Sequence, residues 1–108
     1  MDDWTDVAAT TDFPPGTRRK VDAGGTQIAV FNVDGEYYAI EDLCSHEAET
    51  LSEGTVCGLE ITCPAHQARF SLIDGAPLCA PAYEPIATFP VRIAGGIVQV
   101  RDDRFDDN

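Results

Sequence analysis

Two cysteine–histidine pairs constrain this chain more than any other feature. They are Cys-Ser-His at positions 44–46 and Cys-Pro-Ala-His at positions 63–66. Two thiolates and two imidazoles match the donor set of a 2Fe-2S cluster in which two histidines replace two cysteines on one iron. The pattern therefore predicts one-electron transfer, with a ligand set of Cys44, His46, Cys63 and His66.

A structural zinc site with two cysteines and two histidines is the main alternative. Such sites usually place the cysteines together as C-x2–4-C and the histidines together as H-x3–5-H. This chain alternates Cys, His, Cys, His, which fits a two-iron cluster better. In that arrangement Cys44 and Cys63 hold the inner iron, and His46 and His66 hold the outer iron.

The other two cysteines, Cys57 and Cys79, are predicted to be small buried apolar side chains. A disulfide between them would require a proximity that the sequence does not show.

Length and composition favour a single domain over residues 1–108. No apolar run reaches the ~18 residues of a membrane span, and residues 1–12 lack the basic and apolar regions of a signal peptide. We therefore expect a cytoplasmic protein. In a reducing compartment its four cysteines are ligands or buried thiols rather than disulfides.

The distribution of charge limits the possible partners. The net charge is −12, from 19 acidic and 7 basic residues, and no lysine or arginine occurs from Val21 to Ala68. Both cysteine–histidine pairs lie in that acidic stretch, so nucleic acid is excluded as a partner and a protein with a basic patch is favoured. The basic run at positions 18–20 is predicted to be a solvated strand face.

Alternating apolar and β-branched residues predict an all-β domain. Asp34-Gly35 and Gly95-Gly96 have the composition of tight hairpin turns, and a single helical turn is predicted after His46. The spacing predicts an antiparallel β-sandwich or partly open barrel, with the two pairs in loops at about 41–82. The predicted strands are 4–8, 17–22, 27–33, 36–40, 55–57, 60–62, 69–71, 86–93 and 97–101.

The two pairs resemble the cluster-binding boxes of the Rieske ferredoxin family. The likeness extends to LSEG at 51–54, RFSLIDG at 69–75, the proline loop CAPA at 79–82 and the closing hairpin at 84–100. It covers roughly residues 4 to 101 and includes no fused oxygenase or reductase. The resemblance implies the Rieske fold, with a small cluster-binding subdomain of two loops and one 2Fe-2S cluster.

Free-standing domains of this kind resemble the ferredoxin components of bacterial aromatic-ring dioxygenase systems. The resemblance implies a soluble one-electron carrier with no catalytic residue of its own. Because a carrier must visit two partners, we expect a monomer. Its partners would be an NAD(P)H-dependent flavin reductase and a terminal oxygenase. The alternatives are the small subunit of an assimilatory nitrite reductase, the ferredoxin of a diiron monooxygenase, and a zinc-stapled interaction module.

Departures from the respiratory members of the family predict a low reduction potential. Those members carry an extra cysteine in each box, where this chain has Glu49 and Ala65. They also carry hydroxyl donors where this chain has Ala68 and Phe70. Missing donors and nearby carboxylates disfavour the more negative reduced cluster, so we expect a potential near the bottom of the Rieske range of roughly −150 to +300 mV.

The histidine-bound iron is expected near the surface, where electrons enter and leave. The residues beside the two boxes and in the covering loop are therefore the predicted docking rim for partners. They are Leu43, Glu47, Gln67 and Pro81.

Overall fold

The computed structural model of the protein describes residues 4–42, 51–64, 68–78 and 85–103. These ranges contain ten β-strands and two short 3-10 turns, Thr10–Asp12 and Leu51–Glu53. No helix within them is long and apolar enough to cross a bilayer. The strands are β1 (Thr5–Ala9), β2 (Arg18–Ala23), β3 (Thr26–Val33), β4 (Glu36–Glu41), β5 (Thr55–Cys57), β6 (Glu60–Thr62), β7 (Arg69–Ser71), β8 (Thr88–Phe89), β9 (Val91–Ala94) and β10 (Ile97–Val100).

The strands form three antiparallel sheets, which confirms the predicted all-β class. The central sheet has the order β2-β3-β4-β8, and the outer sheets have the orders β1-β10-β9 and β5-β6-β7. No closed barrel forms among the described strands. The helical turn predicted after His46 lies outside the described residues.

The single strand predicted at 86–93 is wrong, because Pro90 divides it into β8 and β9. Proline has no N–H to donate to a sheet ladder. Before Pro90, β8 pairs with β4, and after Pro90, β9 pairs with β10. The proline therefore marks the point where the chain leaves the central sheet for an outer one.

Strand β3 forms the centre of the molecule because both of its faces are buried. Ala29 and Phe31 belong to the apolar cluster shared with β6 and β7. Ile28 and Val30 belong to a second cluster shared with β8 and β10. Successive side chains of a strand point to opposite faces, so the unbroken apolar run of β3 holds the two outer sheets on opposite sides of the central sheet.

The predicted hairpin turns are confirmed by their backbone geometry. Asp34 and Gly35 have φ values of 55° and 92°, and Gly95 and Gly96 have values of 61° and 80°. Positive φ at both central residues is the type I′ pattern that matches the twist of paired strands. The Asn32 side chain supports the first turn by accepting a hydrogen bond from the Gly35 N–H at 2.8 Å.

The prediction of a solvated basic face at positions 18–20 is wrong for its two arginines. The Arg18 guanidinium lies 5.3 Å from the Phe31 ring centre and donates to the carbonyls of Ser52 and Gly54 at 2.8 and 2.6 Å. On the opposite face of β2, the Arg19 guanidinium lies 5.0 Å from the Phe13 ring centre. Only Lys20 is exposed, so Arg18 ties the central sheet to the segment that leads into β5.

Replacing Arg18 with alanine is expected to lower the free energy of unfolding by about 2 kcal/mol, because two charge-assisted hydrogen bonds are lost. Lys20→Ala is the matched control on the same strand and should change the free energy of unfolding by less than about 0.5 kcal/mol. Urea denaturation followed by circular dichroism measures both values. An equal decrease in the free energy of unfolding for both variants would show that Arg18 does not hold the central sheet to the segment that leads into β5.

Candidate metal centre

One of the four predicted ligands, Cys63, lies within the described part of the chain. It directly follows β6 and has an exposed fraction of 0%. Its neighbours in the apolar cluster include Leu51, Ile61 and Phe70. Cys44, His46 and His66 lie outside the described residues, so their role as ligands stays a prediction.

The second cysteine–histidine box connects two paired strands. Strand β6 pairs with β7, with Thr62 opposite Arg69. The Cys63 N–H then donates to the Ala68 carbonyl at 2.7 Å. This bond closes the base of segment 64–67, which carries His66 in the sequence. The hairpin thereby fixes where the segment leaves the sheet and where it returns.

The segment that carries the first box is also closed at its base. Asp42 directly follows β4, and its two carboxylate oxygens accept from the Ser52 N–H at 2.6 Å and the Ser52 hydroxyl at 2.9 Å. Both residues are nearly buried, with exposed fractions of 6% and 5%. The chain therefore leaves β4 and returns at Ser52 with residues 43–50 in between, including Cys44 and His46.

A glycine brings the ends of the two boxes together. A Cβ atom on Gly54 would lie 2.1 Å from the Thr62 carbonyl oxygen, which only a residue without a side chain avoids. Gly54 follows the first box, and Thr62 directly precedes the buried thiol of Cys63. The close backbone approach therefore places the return of one box beside the start of the other.

These features fit a cluster held jointly by the two boxes. The thiolate of a cysteine is the form that binds metal, and its charge needs a partner in apolar surroundings. Cys63 sits in such surroundings at the place where the box ends meet. No competing group of three or more histidine, cysteine or acidic side chains occurs in the described ranges.

The two positions that lack hydroxyl donors are part of the apolar core. Ala68 and Phe70 both have an exposed fraction of 0% and pack in the same cluster as Cys63. Neither side chain carries a group that donates a hydrogen bond. The side chains at these two positions therefore offer no hydrogen-bond donor to Cys63.

The predicted burial of Cys57 is wrong, because its thiol is exposed. Val56, the central residue of β5, packs against the apolar cluster. Its neighbours in the strand therefore face outward, as the two-residue period of a strand requires. Cys57 pairs with Glu60 at the end of the β5–β6 hairpin that lies away from Cys63. Cys79 is outside the described residues, so a Cys57–Cys79 disulfide is not tested.

Sequence reasoning missed the residues that hold the bases of the boxes. Arg18, Asp42, Ser52 and Gly54 carry no ligand motif, and the contacts that close the boxes join residues 8 or more positions apart. The sequence offers one signal for Ser52 and Gly54, the LSEG segment at 51–54, which resembles the family's segment between the boxes.

The all-β fold, the closed bases of the two boxes and the buried Cys63 fit a cluster-binding domain, and the sequence comparison identifies the family. Residues 3–90 match the protein-family model described as the Rieske [2Fe-2S] domain. The chain belongs to this family, which binds one 2Fe-2S cluster of the Rieske type.

Similar proteins include ferredoxins of oxygenase systems and a protein of Mycobacterium tuberculosis. The chain is 41% identical over 97 residues to the ferredoxin component of the naphthalene 1,2-dioxygenase system of Pseudomonas aeruginosa, covering 90% of this chain and 93% of that protein. The ferredoxin in a complex of reduced oxygenase and oxidised ferredoxin of carbazole 1,9a-dioxygenase superimposes with a TM-score of 0.87, at 38% identity and 94% coverage of both chains. A protein of Mycobacterium tuberculosis, assigned as an NADH-dependent nitrite reductase small subunit, gives 0.80 at 27% identity, covering 90% of this chain and 92% of that one.

Proposed function

We propose that this chain is the ferredoxin component of a multicomponent aromatic-ring dioxygenase. It carries single electrons from an NAD(P)H-dependent flavin reductase to a terminal oxygenase and transforms no substrate itself. The observation that carries the proposal is the structural match to a ferredoxin found in complex with its oxygenase, which covers 94% of this chain and 94% of that one. The nitrite reductase alternative is weaker, because that likeness has lower identity and a lower TM-score.

Four residues would hold the cluster: Cys44, His46, Cys63 and His66. A cluster with two imidazole ligands supplies a one-electron couple at a higher potential than a four-cysteine cluster. The buried position of Cys63 keeps water from its sulfur. Hydrogen bonds hold the ends of both ligand-bearing segments, which favours electron exchange with little structural change.

Reconstitution with purified partners tests the proposal. The iron- and sulfide-loaded chain should show the electron paramagnetic resonance of a reduced 2Fe-2S cluster and support product formation by an aromatic-ring dioxygenase with its reductase. Cys63→Ser should abolish both, because a ligand is lost. Cys57→Ser is the matched control and should retain both, because that thiol is exposed and lies away from Cys63.

Two results would overturn the proposal. One is a loaded chain that delivers electrons to no aromatic-ring dioxygenase yet supports nitrite reduction. The other is a chain that supports only a diiron monooxygenase.

The reduction potential is expected to lie below zero, near the lower end of roughly −150 to +300 mV. The side chains of Ala68 and Phe70 are both buried and carry no donor that could stabilise the reduced cluster by a hydrogen bond. A redox titration followed by circular dichroism in the visible range measures the potential. A value well above zero would contradict this account of the surroundings.

We also propose that acidic residues near the boxes guide docking, with Leu43, Glu47, Gln67 and Pro81 at the rim. All four lie outside the described residues, so the support is the absence of lysine and arginine from Val21 to Ala68. Opposite charges on two partners accelerate their encounter, and salt screens this effect.

Glu47→Lys should therefore slow reduction by the flavin reductase at low salt and leave the visible spectrum unchanged. Glu36→Lys makes the same charge change at the exposed start of β4, at the other end of that strand from Asp42, and should slow it less. Stopped-flow absorbance at several salt concentrations measures the rates. Equal reduction rates for both variants and the unmodified chain would show that partners do not dock at the proposed rim.

A cytoplasmic, monomeric protein fits this role. The exposed thiol of Cys57 is suited to a reducing compartment, and a carrier that visits two partners in turn needs a free surface for each. Gel filtration and cell fractionation test these two points.

A further inference from the structure

We propose that Asp42 and Ser52, braced by Arg18, form a clasp that positions the first pair of cluster ligands. Asp42 stands two residues before Cys44 in the sequence, and Ser52 stands six residues after His46. The inference rests on the proposed cluster site and assigns positioning roles to Asp42, Ser52 and Arg18, none of which is a predicted ligand.

Both oxygens of the Asp42 carboxylate accept hydrogen bonds from Ser52. One oxygen accepts from the Ser52 N–H at 2.6 Å and the other from the Ser52 hydroxyl at 2.9 Å. A buried carboxylate is costly unless it is hydrogen-bonded, and hydrogen bonds to a charged group are among the stronger ones. The pair therefore has one favoured geometry, which fixes the distance between the two ends of segment 43–50.

Arg18 holds the same residue from the other side. Its guanidinium donates to the Ser52 carbonyl at 2.8 Å and to the Gly54 carbonyl at 2.6 Å. The backbone N–H, hydroxyl and carbonyl of Ser52 are thus all engaged by residues of the central sheet or its margin. Ser52 cannot move without breaking bonds to both charged groups.

The clasp is also attached to the rest of the fold. The Asp42 N–H donates to the Gln27 carbonyl at 2.9 Å, and Arg18 lies over the Phe31 ring. Both anchors belong to the doubly buried sheet. Both ends of segment 43–50 are thereby attached to the central sheet.

Opening the clasp should increase the freedom of segment 43–50 and loosen its hold on the cluster. Residues that orient metal ligands typically change metal affinity by about ten- to hundredfold when removed. The effect should appear as faster cluster loss and a broader distribution of cluster geometries, in a protein that is still folded.

The experiment compares four variants of the cluster-loaded chain. Asp42→Ala removes both bonds, and Ser52→Ala removes only the hydroxyl bond. Asp42→Asn keeps the shape, because its amide can accept from the Ser52 N–H and donate to the Ser52 hydroxyl. Asn32→Ala is the matched control: it removes two hydrogen bonds of a side chain with an exposed fraction of 4% that supports the β3–β4 turn.

Two measurements are made at a temperature where circular dichroism shows every variant to be folded. One is the rate of cluster loss to an iron chelator, and the other is the line width of the reduced cluster in electron paramagnetic resonance. We expect Asp42→Ala to lose the cluster about ten- to hundredfold faster with broadened lines, and Ser52→Ala to be intermediate. Asp42→Asn should show nearly the loss rate and line width of the unmodified chain. This variant therefore separates the effect of hydrogen-bond geometry from the effect of charge.

Three outcomes overturn the clasp. They are an unchanged loss rate in Asp42→Ala, an equal acceleration in Asn32→Ala at the same loss of stability, and an Asp42→Asn variant as labile as Asp42→Ala. An unmodified chain that binds no cluster overturns the clasp and the proposed function together. A chain that binds the cluster but delivers no electron to an oxygenase overturns only the proposed function.

Discussion

The burial of both faces of β3 is the constraint on which the rest of the structure depends. Ala29 and Phe31 face the sheet that carries Cys63, while Ile28 and Val30 face the sheet of β1, β9 and β10. Burial of each face removes apolar surface from water, and this removal is the main favourable contribution to folding. The central sheet is therefore held from both sides, and the loops that leave it begin from fixed positions.

The cluster-binding part uses this rigidity through a small number of polar contacts. Segment 43–50 is closed by Asp42 and Ser52, and segment 64–67 is closed by Cys63 and Ala68. Arg18 donates to the Gly54 carbonyl, and Gly54 lies against Thr62, so the bases of the two segments are held side by side. This arrangement suits an electron carrier. Ligands that hardly move on reduction keep the reorganisation small, and electron transfer is then fast.

Local patterns predicted what depends on local chemistry. The hairpin turn at Asp34-Gly35 follows from residues that tolerate positive φ, and the strands follow from alternating apolar residues. The errors have long-range causes. Arg18 has the composition of a solvated strand, but its acceptors lie 34 and 36 residues away. The break at Pro90 reflects a change of sheet that strand propensity does not encode, and Cys57 is exposed because Val56 occupies the inward position.

The outer pairing of β1 with β10 joins Thr5 to Val100, so this sheet closes only when the two ends of the described chain meet. The described members of the apolar cluster around Cys63 run only from Ala29 to Ile86. Contacts between residues that are closer in sequence cost less chain entropy to form. The cluster around Cys63 can therefore form before the two ends of the described chain are brought together.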